Sequence, residues 1–346
     1  MKRKRLGIAG RCVRAVLILL LLIIFIALLG ITVYIIGMTG LIRYAGEGSV
    51  TMDPKQVQEY IAGQKETFDP SYQGKEIESD SITWEQAEGV SESDKQVLHI
   101  LLVGTDARPG ESYARSDAMI LCSLNTQAKQ LTVTSFMRDM YVPIPGYVDH
   151  KLNSAYAWGG IPLLKETLLK NFGIETDMVF VVDFAGFEQA VDAVGGVDIY
   201  LTGQEAAYLG EQCFREGINH LNGADALTYA RIRSIGSGDF DRTARQRNVI
   251  GALTGKMQTM TPMQLHAMLE KLLPLITTDG KHGEILELLS RWTPMLIGDY
   301  KTVSLQIPGS QAYQDAWVAD MAVLLPDLAK NREILHEEIY KKDATG

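Results

Sequence analysis

The chain has 346 residues but only three cysteines. Cys12 lies beside a long apolar run, so Cys122 and Cys213 are the two in the rest of the chain, and their spacing does not decide whether they pair. So few cysteines exclude a disulfide-rich scaffold. The six histidines fall in no metal-binding motif and no Cys/His zinc spacing occurs, so no zinc site is expected.

The chain also lacks an excess of positive charge and one common catalytic motif. Its formal net charge is −9, which argues against a general nucleic-acid-binding protein and predicts no nucleic-acid partner. It contains no Walker-type phosphate loop and no Gly-x-Ser-x-Gly motif. A hydrolase of the Ser-His-Asp type is therefore poorly supported.

The N-terminus combines a basic head with a long uncharged run. Residues 1–14 carry six Lys and Arg residues, and no charged residue occurs at 15–41. A helix needs about 20 apolar residues to cross the hydrocarbon layer, whereas the core of a signal peptide has ~7–15. We therefore expect residues 15–41 to form one transmembrane helix that is retained. A cleaved signal and a buried core helix are the alternatives.

The positive-inside rule gives this helix an orientation. Because the six cations precede the helix, residues 1–14 are expected to be a cytoplasmic head, and the chain after about Arg43 is expected to be extracellular. The net charge of −9 becomes −15 when these six cations are left out. The sequence thus predicts a single-pass protein of the cell membrane with an acidic external part.

The external part begins with a polar segment. Residues 42–95 are rich in Glu, Ser and Gly, and one short helix is predicted at 54–64. We interpret 42–95 as an extracellular stalk, a solvated spacer that lifts a domain off the membrane.

From Val97 onward, short apolar runs alternate with helical patterns. Strands are predicted at 97–103, 131–135, 178–184, 197–201 and 301–306. Helices are predicted at 161–172, 187–194, 242–260, 262–275, 283–292 and 318–340. This alternation indicates one α/β domain with a mostly parallel or mixed central sheet, which we assign to residues 96–340.

Charged side chains follow the predicted strands, and this is where open α/β sheets bind their ligands. These residues are Asp106, Arg108, Arg115, Asp117, Arg138, Asp139 and Lys151. Polar groups therefore collect where the apolar strands stop.

A second cluster holds five arginines within 17 residues. They are Arg231, Arg233, Arg242, Arg245 and Arg247. If the first two lie on an extended strand, they point to the same face. If a helix begins at Arg242, then Arg242, Arg245 and Gln246 share one face. Guanidinium groups bind phosphate through forked hydrogen bonds, so this pattern favours an anion site over a set of surface salt bridges.

Asp106 and Asp117 form a candidate metal pair. Mg²⁺ commonly takes one or two carboxylates and completes its shell with waters and substrate phosphates. Two loop aspartates alone are a weak signal, since such residues often serve in turns and caps. Together with the arginines, however, they describe a site for a pyrophosphate. We therefore expect Mg²⁺ as the cofactor, with Mn²⁺ as the second choice.

These residues, in this order, resemble the LytR-CpsA-Psr family of Gram-positive cell-wall proteins. The resemblance is carried by LLVGTDAR (101–108), RSDAMIL (115–121), SFMRDMYVPIPG (135–146), KLNSAYAWGG (151–160), VDFAGFEQAVDAVGGVDI (182–199), LNGADALTYARIR (221–233) and GDFDRTARQR (238–247). The basic head and single membrane helix are also similar to the family's layout. Many members have Pro at the position of Met137 and Thr at that of Met140, so we expect a change in loop stiffness there.

The resemblance implies a three-layer α/β/α domain that encloses a pocket for a polyprenyl lipid. It implies an enzyme that moves a glycopolymer, such as teichoic acid or capsule, from an undecaprenyl-pyrophosphate carrier to peptidoglycan through a phosphodiester link. Two rival functions would use the same site. One is a phosphatase or pyrophosphatase for prenyl pyrophosphates, and the other is a lipid-binding regulatory protein without catalysis, in keeping with the family's older transcription-attenuator label.

The resemblance also assigns roles to individual residues. Asp106 and Asp117 would hold Mg²⁺. Arg115, Arg138, Lys151, Arg231, Arg233, Arg242 and Gln246 would bind the pyrophosphate. From the charged clusters themselves we add Arg108 and Arg245 to the pyrophosphate site, and we assign Arg115, Arg138, Asp139 and Asp239 to catalysis. Asp139 and Asp239 are both candidates for a base that takes the proton of the acceptor hydroxyl.

Overall fold

The computed structural model describes residues 34, 36–45, 51–63, 74–85, 87, 96–106 and 114–340. The predicted cytoplasmic head (1–14), all but the last residues of the predicted membrane helix (15–41) and Arg108 lie outside these ranges. Among the described residues, no helix has both the length and the apolar character needed to cross a bilayer. The membrane anchor therefore stays a prediction.

Strands and helices follow one another along most of the described chain. The strands are β1 (Arg43–Tyr44), β2 (Lys75–Glu76), β3 (Leu98–Thr105), β4 (Ser116–Asn125), β5 (Gln130–Phe136), β6 (Tyr141–Val142), β7 (His150–Lys151), β8 (Met178–Asp183), β9 (Val197–Leu201), β10 (Gly217–Leu221), β11 (Thr277–Thr278), β12 (Lys301–Ile307), β13 (Tyr313–Val318) and β14 (Met321–Pro326). The helices are α1 (Pro54–Ala62), α2 (Asn153–Phe172), α3 (Phe184–Ala193), α4 (Gly203–Gly210), α5 (Gly223–Arg231), α6 (Asp239–Gln258), α7 (Pro262–Leu272), α8 (His282–Ile297) and α9 (Leu328–Ile339).

A mixed sheet forms the centre of the domain, as predicted. Its seven strands follow in the order β1-β11-β8-β3-β4-β5-β12. The pairs β1–β11, β3–β8 and β5–β12 are parallel, and the other neighbours are antiparallel. Because β3, β5 and β8 run in one direction, their carboxyl ends meet at the same edge of the sheet.

Helices cover both faces of this sheet, because successive side chains of a strand point to opposite faces. Leu101 and Val103 of β3 belong to the main core, which also includes residues of α2 and α9. On the opposite face, Ile100 and Phe180 pack against Ile285 of α8. The layers are therefore helix, sheet and helix.

Part of the predicted stalk belongs to the domain. Met52 and Val57 are each 2% exposed and lie in the main core. The Asp53 carboxylate caps α1 by accepting hydrogen bonds from the backbone N–H groups of Lys55 and Gln56. β1 and β2 pair with β11 and β13. A solvated spacer therefore does not describe these residues, because a few apolar side chains in a polar segment suffice to dock it.

The predicted helix at 318–340 is wrong in its first half. β13 and β14 form an antiparallel hairpin there, and only α9 is helical. Ala319 and Asp320 connect the two strands with φ of 48° and 59°. Two consecutive residues with positive φ give the tight turn that matches the twist of a hairpin.

Replacement of Leu121 by alanine should destabilise the protein strongly. Leu121 lies in β4 with no exposed surface, so Leu121→Ala should lower the free energy of unfolding by about 2–5 kcal/mol through lost contacts and a cavity. Ile218, which is 79% exposed in β10, provides the control Ile218→Ala, with an expected change within about 0.5 kcal/mol. Urea unfolding of the full chain in detergent measures both, and equal losses would contradict the described core.

Candidate functional site

The candidate site lies at the edge where β3, β5 and β8 end and β4 begins. Asp106 follows β3, Asp117 is the second residue of β4, and Arg138 and Asp139 follow β5. Asp239 opens α6 near these strand ends, within 3.3 Å of Arg138. Residues from distant parts of the sequence are thus brought together where the sheet stops.

Arg138 is the centre of a charged network. Its Nη1 donates to Asp117 Oδ1 at 2.5 Å, and its Nε lies 3.3 Å from both Asp139 Oδ2 and Asp239 Oδ2. Burial alone would lower the pKa of Arg138, but the negative charges of Asp139, Asp117 and Asp239 outweigh burial and raise it. Arg138 therefore stays charged and holds three carboxylates in place.

Arg242 is the most deeply buried cation of the site. It is 2% exposed, its Nη2 donates to Asp239 Oδ2 at 2.8 Å, and its Nη1 lies 4.0 Å from Asp117 Oδ1. Burial and the nearby charge of Arg138 lower the pKa of Arg242 to about 10, so it remains protonated at neutral pH. Within the described residues, Arg242 Nε and Gln246 Oε1 are buried without a hydrogen-bond partner. An unpaired buried donor on a cation is a place for an anion.

Asp139 and Asp239 form a close acidic pair with different surroundings. Burial would raise the pKa of Asp139, but Arg138 and Lys151, whose Nζ lies 3.6 Å from Asp139 Oδ1, hold it below its usual value. Burial raises the pKa of Asp239, against the attraction of Arg242 and Arg138, and the charge of Asp139 adds to the rise. Two neighbouring carboxylates resist ionising together, so Asp239 is the one that holds a proton more readily.

Asp106 and Arg115 face each other across the ends of β3 and β4. Asp106 Oδ1 accepts a hydrogen bond of 3.0 Å from the Arg115 backbone N–H. The Arg115 side chain donates to Tyr60 Oη of α1 at 2.9 Å and also lies over the Tyr60 ring. The segment predicted as a stalk therefore supports one of the site residues.

The carboxylates fit a divalent cation in their chemistry. Asp106 and Asp117 lie at the adjoining ends of the paired strands β3 and β4, and each has one oxygen engaged by a neighbour. No group of three or more His, Cys, Asp and Glu residues could hold a metal ion in the part of the chain described. A site with two carboxylates suits Mg²⁺, which commonly uses substrate phosphates to complete its shell.

A large cavity opens beside this network. Its volume is about 750 Å³. One part is lined by Asp117, Arg231, Arg233, Arg242 and Gln246, and the rest is almost wholly apolar. Arg231 stacks on the Phe184 ring with its guanidinium carbon 4.5 Å from the ring centroid, and Arg233 Nε lies 3.3 Å from Asp239 Oδ1. The cavity therefore joins a cationic mouth to an apolar chamber.

The structure brings most of the predicted residues together. Those in the charged network or at the cationic mouth are Asp117, Arg138, Asp139, Lys151, Arg231, Arg233, Asp239, Arg242 and Gln246. Asp106 and Arg115 lie at its border. The local structure of Arg231 differs from one expectation. Arg231 is the last residue of α5, whereas an extended strand was considered there.

Arg245 does not belong to the anion site, although it was predicted there. It is 5% exposed, and its Nε donates to Glu205 Oε1 at 2.7 Å. Its Nη1 and Nη2 donate to the carbonyl oxygens of Ile232 and Ile235 at 3.1 and 3.2 Å. Arg242 and Gln246 are four residues apart and share the face toward the cavity, whereas Arg245 points toward α4. Arg245 thus holds the loop that carries Arg233.

Sequence reasoning missed Phe184 and Tyr60. Phe184 directly follows β8, so its position after a strand end was the available signal. Tyr60 carried no such signal, because its contact with Arg115 spans 55 residues.

The sequence model of the LytR_cpsA_psr family matches residues 63–336. The chain belongs to this family. The regulatory protein MsrR of Staphylococcus aureus is 34% identical over 221 residues, which make up 63% of this chain and 66% of MsrR, just under two thirds of its length. The polyisoprenyl-teichoic acid–peptidoglycan teichoic acid transferase TagU of Bacillus cereus is 30% identical over 263 residues, or 73% of this chain and 83% of TagU.

Solved structures of this family share the fold. TagT (YwtF) of Bacillus subtilis with bound octaprenyl pyrophosphate lipid matches with a TM-score of 0.54 and 23% identity, over 72% of this chain and 92% of TagT. The mixed sheet with flanking helices is therefore the fold of this family.

Loss of the Glu205 carboxylate should destabilise the fold without touching the cavity. Glu205→Ala leaves Arg245 buried without its ion-pair partner, so the free energy of unfolding should fall by about 3–5 kcal/mol. Arg233→Ala, which removes a half-exposed guanidinium, should cost less than about 1 kcal/mol. Urea unfolding measures both. Equal losses in the two variants would contradict the buried Glu205–Arg245 ion pair.

Proposed function

We propose that this protein transfers a glycopolymer from a polyprenyl-pyrophosphate carrier to peptidoglycan. The observation that carries the proposal is the cavity, in which a buried, incompletely paired arginine adjoins an apolar chamber. Such a cavity is complementary to an amphiphile with an anionic head and a long hydrocarbon tail. A prenyl phosphate or pyrophosphate combines these two parts.

The relatives support this class of substrate. TagU is named as a transferase of teichoic acid from a polyisoprenyl carrier to peptidoglycan. TagT has been solved with octaprenyl pyrophosphate bound. We infer the same carrier for this chain, with an undecaprenyl tail, a wall glycopolymer such as teichoic acid or capsule as the group moved, and peptidoglycan as the acceptor.

The proposed reaction is a phosphoryl transfer. An acceptor hydroxyl oxygen attacks the phosphorus atom next to the glycan, a phosphodiester bond forms, and the bond to the departing prenyl phosphate oxygen breaks. Arg231, Arg233 and Arg242 neutralise the charge that develops on the pyrophosphate oxygens. The cationic mouth fixes the head while the chamber holds the tail, so the reacting phosphorus is positioned before the attack.

The hydroxyl proton needs an acceptor, and Asp239 is better suited than Asp139. A base is most effective when its pKa approaches the working pH. Asp239 has the raised pKa, whereas Arg138 and Lys151 hold the pKa of Asp139 low. We therefore assign the proton to an Asp239 oxygen and give Asp139 the role of orienting Arg138 and Lys151.

Asp106 and Asp117 would hold the divalent cation. When bound, Mg²⁺ or Mn²⁺ would supply Lewis-acid polarisation of phosphoryl oxygens. We also propose that the uncharged run that begins at residue 15 anchors the protein in the cell membrane ahead of Tyr34, with residues 1–14 in the cytoplasm and the site outside.

The transfer assay that tests this function uses the full chain in vesicles, a prenyl-pyrophosphate-linked glycan, Mg²⁺ and a peptidoglycan oligomer. Mass spectrometry should detect a phosphodiester-linked conjugate. The double variant Arg231→Ala/Arg233→Ala should form about a hundredfold less of this conjugate, because it lacks two positive charges of the cationic mouth. Arg215→Ala is the matched control, since Arg215 is exposed and outside the cavity lining.

Other products would point to the rival functions. Phosphate or free glycan phosphate without a conjugate would identify a hydrolase. Bound lipid with no product would identify a binding protein with a regulatory role. An unchanged rate in the double variant would refute the assigned pyrophosphate site.

The pH dependence should report Asp239. Because a base acts in its deprotonated form, transfer should slow as the pH falls through the raised pKa of Asp239. Asp239→Asn should lower kcat about 10²- to 10⁴-fold and abolish the slowing of transfer at low pH. Asp139→Asn should slow transfer but keep its dependence on low pH. If the slowing at low pH persisted in Asp239→Asn and vanished in Asp139→Asn, the two residues would exchange roles.

A further inference from the structure

The apolar chamber has a wall from the N-terminal segment of the chain. Tyr34, Met38, Thr39 and Ile42 line the cavity together with residues of the sheet, α3, α6 and α7. These residues stand at the end of the uncharged run 15–41 and just after it. This segment, of which residues 34 and 36–42 are described, therefore ends the uncharged run and also forms part of the binding cavity.

This segment is fixed at both ends. Tyr34 Oη lies 2.6 Å from His266 Nδ1 of α7, with the two ring centroids 5.4 Å apart. At the other end, the Arg43 backbone N–H donates to the Ile276 carbonyl oxygen at 2.9 Å, and Ala45 N–H donates to Thr278 at 2.8 Å. These contacts place the segment against the domain as a defined wall.

The two ends of the segment border different parts of the cavity: Tyr34 contacts α7, whereas Ile42 precedes Arg43, which lies level with Val181 in the sheet. Along α6 the lining passes from Arg242 and Gln246 to Ile250 and Leu253. Eleven residues of helix rise by about 16 Å. Leu253 packs in the same apolar cluster as Leu269, which lies one turn beyond His266, the partner of Tyr34. Tyr34 therefore lies on the side of the cavity formed by α7, near the Leu253 end of the α6 lining.

The outer side of the segment is unusually apolar. Ile36 and Leu41 of the segment and Tyr44 just after it are 39–46% exposed, and they are three of the exposed large hydrophobic residues of the described chain. Such a patch on one short segment marks contact with an apolar partner. The hydrocarbon layer that the run at 15–41 is expected to cross is the partner nearest along the chain.

We infer that Tyr34 and Met38 form the membrane-side wall of the prenyl site, where they contact the distal part of the polyprenyl chain and thereby select for long chains. The prenyl pyrophosphate as ligand rests on the proposed function. A short chain ends beside α6 before it reaches this wall. A long chain packs against it and continues toward the membrane.

The test compares two probes on the full chain in phosphatidylcholine vesicles: octaprenyl pyrophosphate and geranyl pyrophosphate. Met38→Trp places a larger side chain in the cavity beside this wall and should weaken octaprenyl pyrophosphate binding about tenfold or more. Geranyl pyrophosphate binding should be unchanged. Leu41→Trp is the matched control, because Leu41 lies on the same segment, is 39% exposed and does not line the cavity.

Met38→Ala covers the case in which the larger side chain prevents folding. It should weaken only the octaprenyl probe, by a smaller factor, since it removes contacts without blocking the chamber. Equal octaprenyl binding by wild type, Met38→Trp and Met38→Ala would overturn the inference, as would equal weakening by Leu41→Trp. Failure of the wild type to bind either probe would refute the proposed function and this inference with it.

Discussion

The site depends on one largely buried cation, the Arg138 guanidinium, whose side chain is 16% exposed. It joins Asp117 of β4, Asp139 after β5 and Asp239 of α6 within 3.3 Å. Three carboxylates so close would repel one another, and a buried charge without a partner is costly. With Arg138 between them, the same charges attract. The arginine therefore fixes the first turn of α6, which carries Asp239 and Arg242, against the strand ends.

Helix α6 then gives the cavity its amphiphilic character. Arg242, Gln246, Ile250 and Leu253 recur at intervals of three and four residues, so they lie on one face of the helix. The first two are polar and the last two apolar. One rigid helix thus aligns the surface for a charged head with the surface for a hydrocarbon tail, and the distance between them is fixed by the helical rise.

Much of the strand pattern followed from the sequence, whereas side-chain direction did not. The strands at 98–105, 130–136 and 178–183 were predicted nearly in place, because continuous apolar runs between turn residues mark buried strands. Arg245 was misplaced, since its partner Glu205 lies 40 residues away and no local pattern shows it. The docking of 51–63 was missed for the same reason: two buried side chains outweigh a polar composition. Local periodicity predicts the strands and helices, whereas contacts between residues distant in sequence decide which partner each side chain binds.

The charge balance of the site explains why its acids and bases are interleaved. The six cations Arg115, Arg138, Lys151, Arg231, Arg233 and Arg242 outnumber the four carboxylates Asp106, Asp117, Asp139 and Asp239. Cations alone would bind an anion more strongly but would repel one another in its absence. The carboxylates weaken the attraction between these cations and a bound anion, but they hold the guanidinium groups in fixed positions. A site of this kind needs little reorganisation when charge develops on a phosphate, and low reorganisation is what stabilises a transition state more than a ground state.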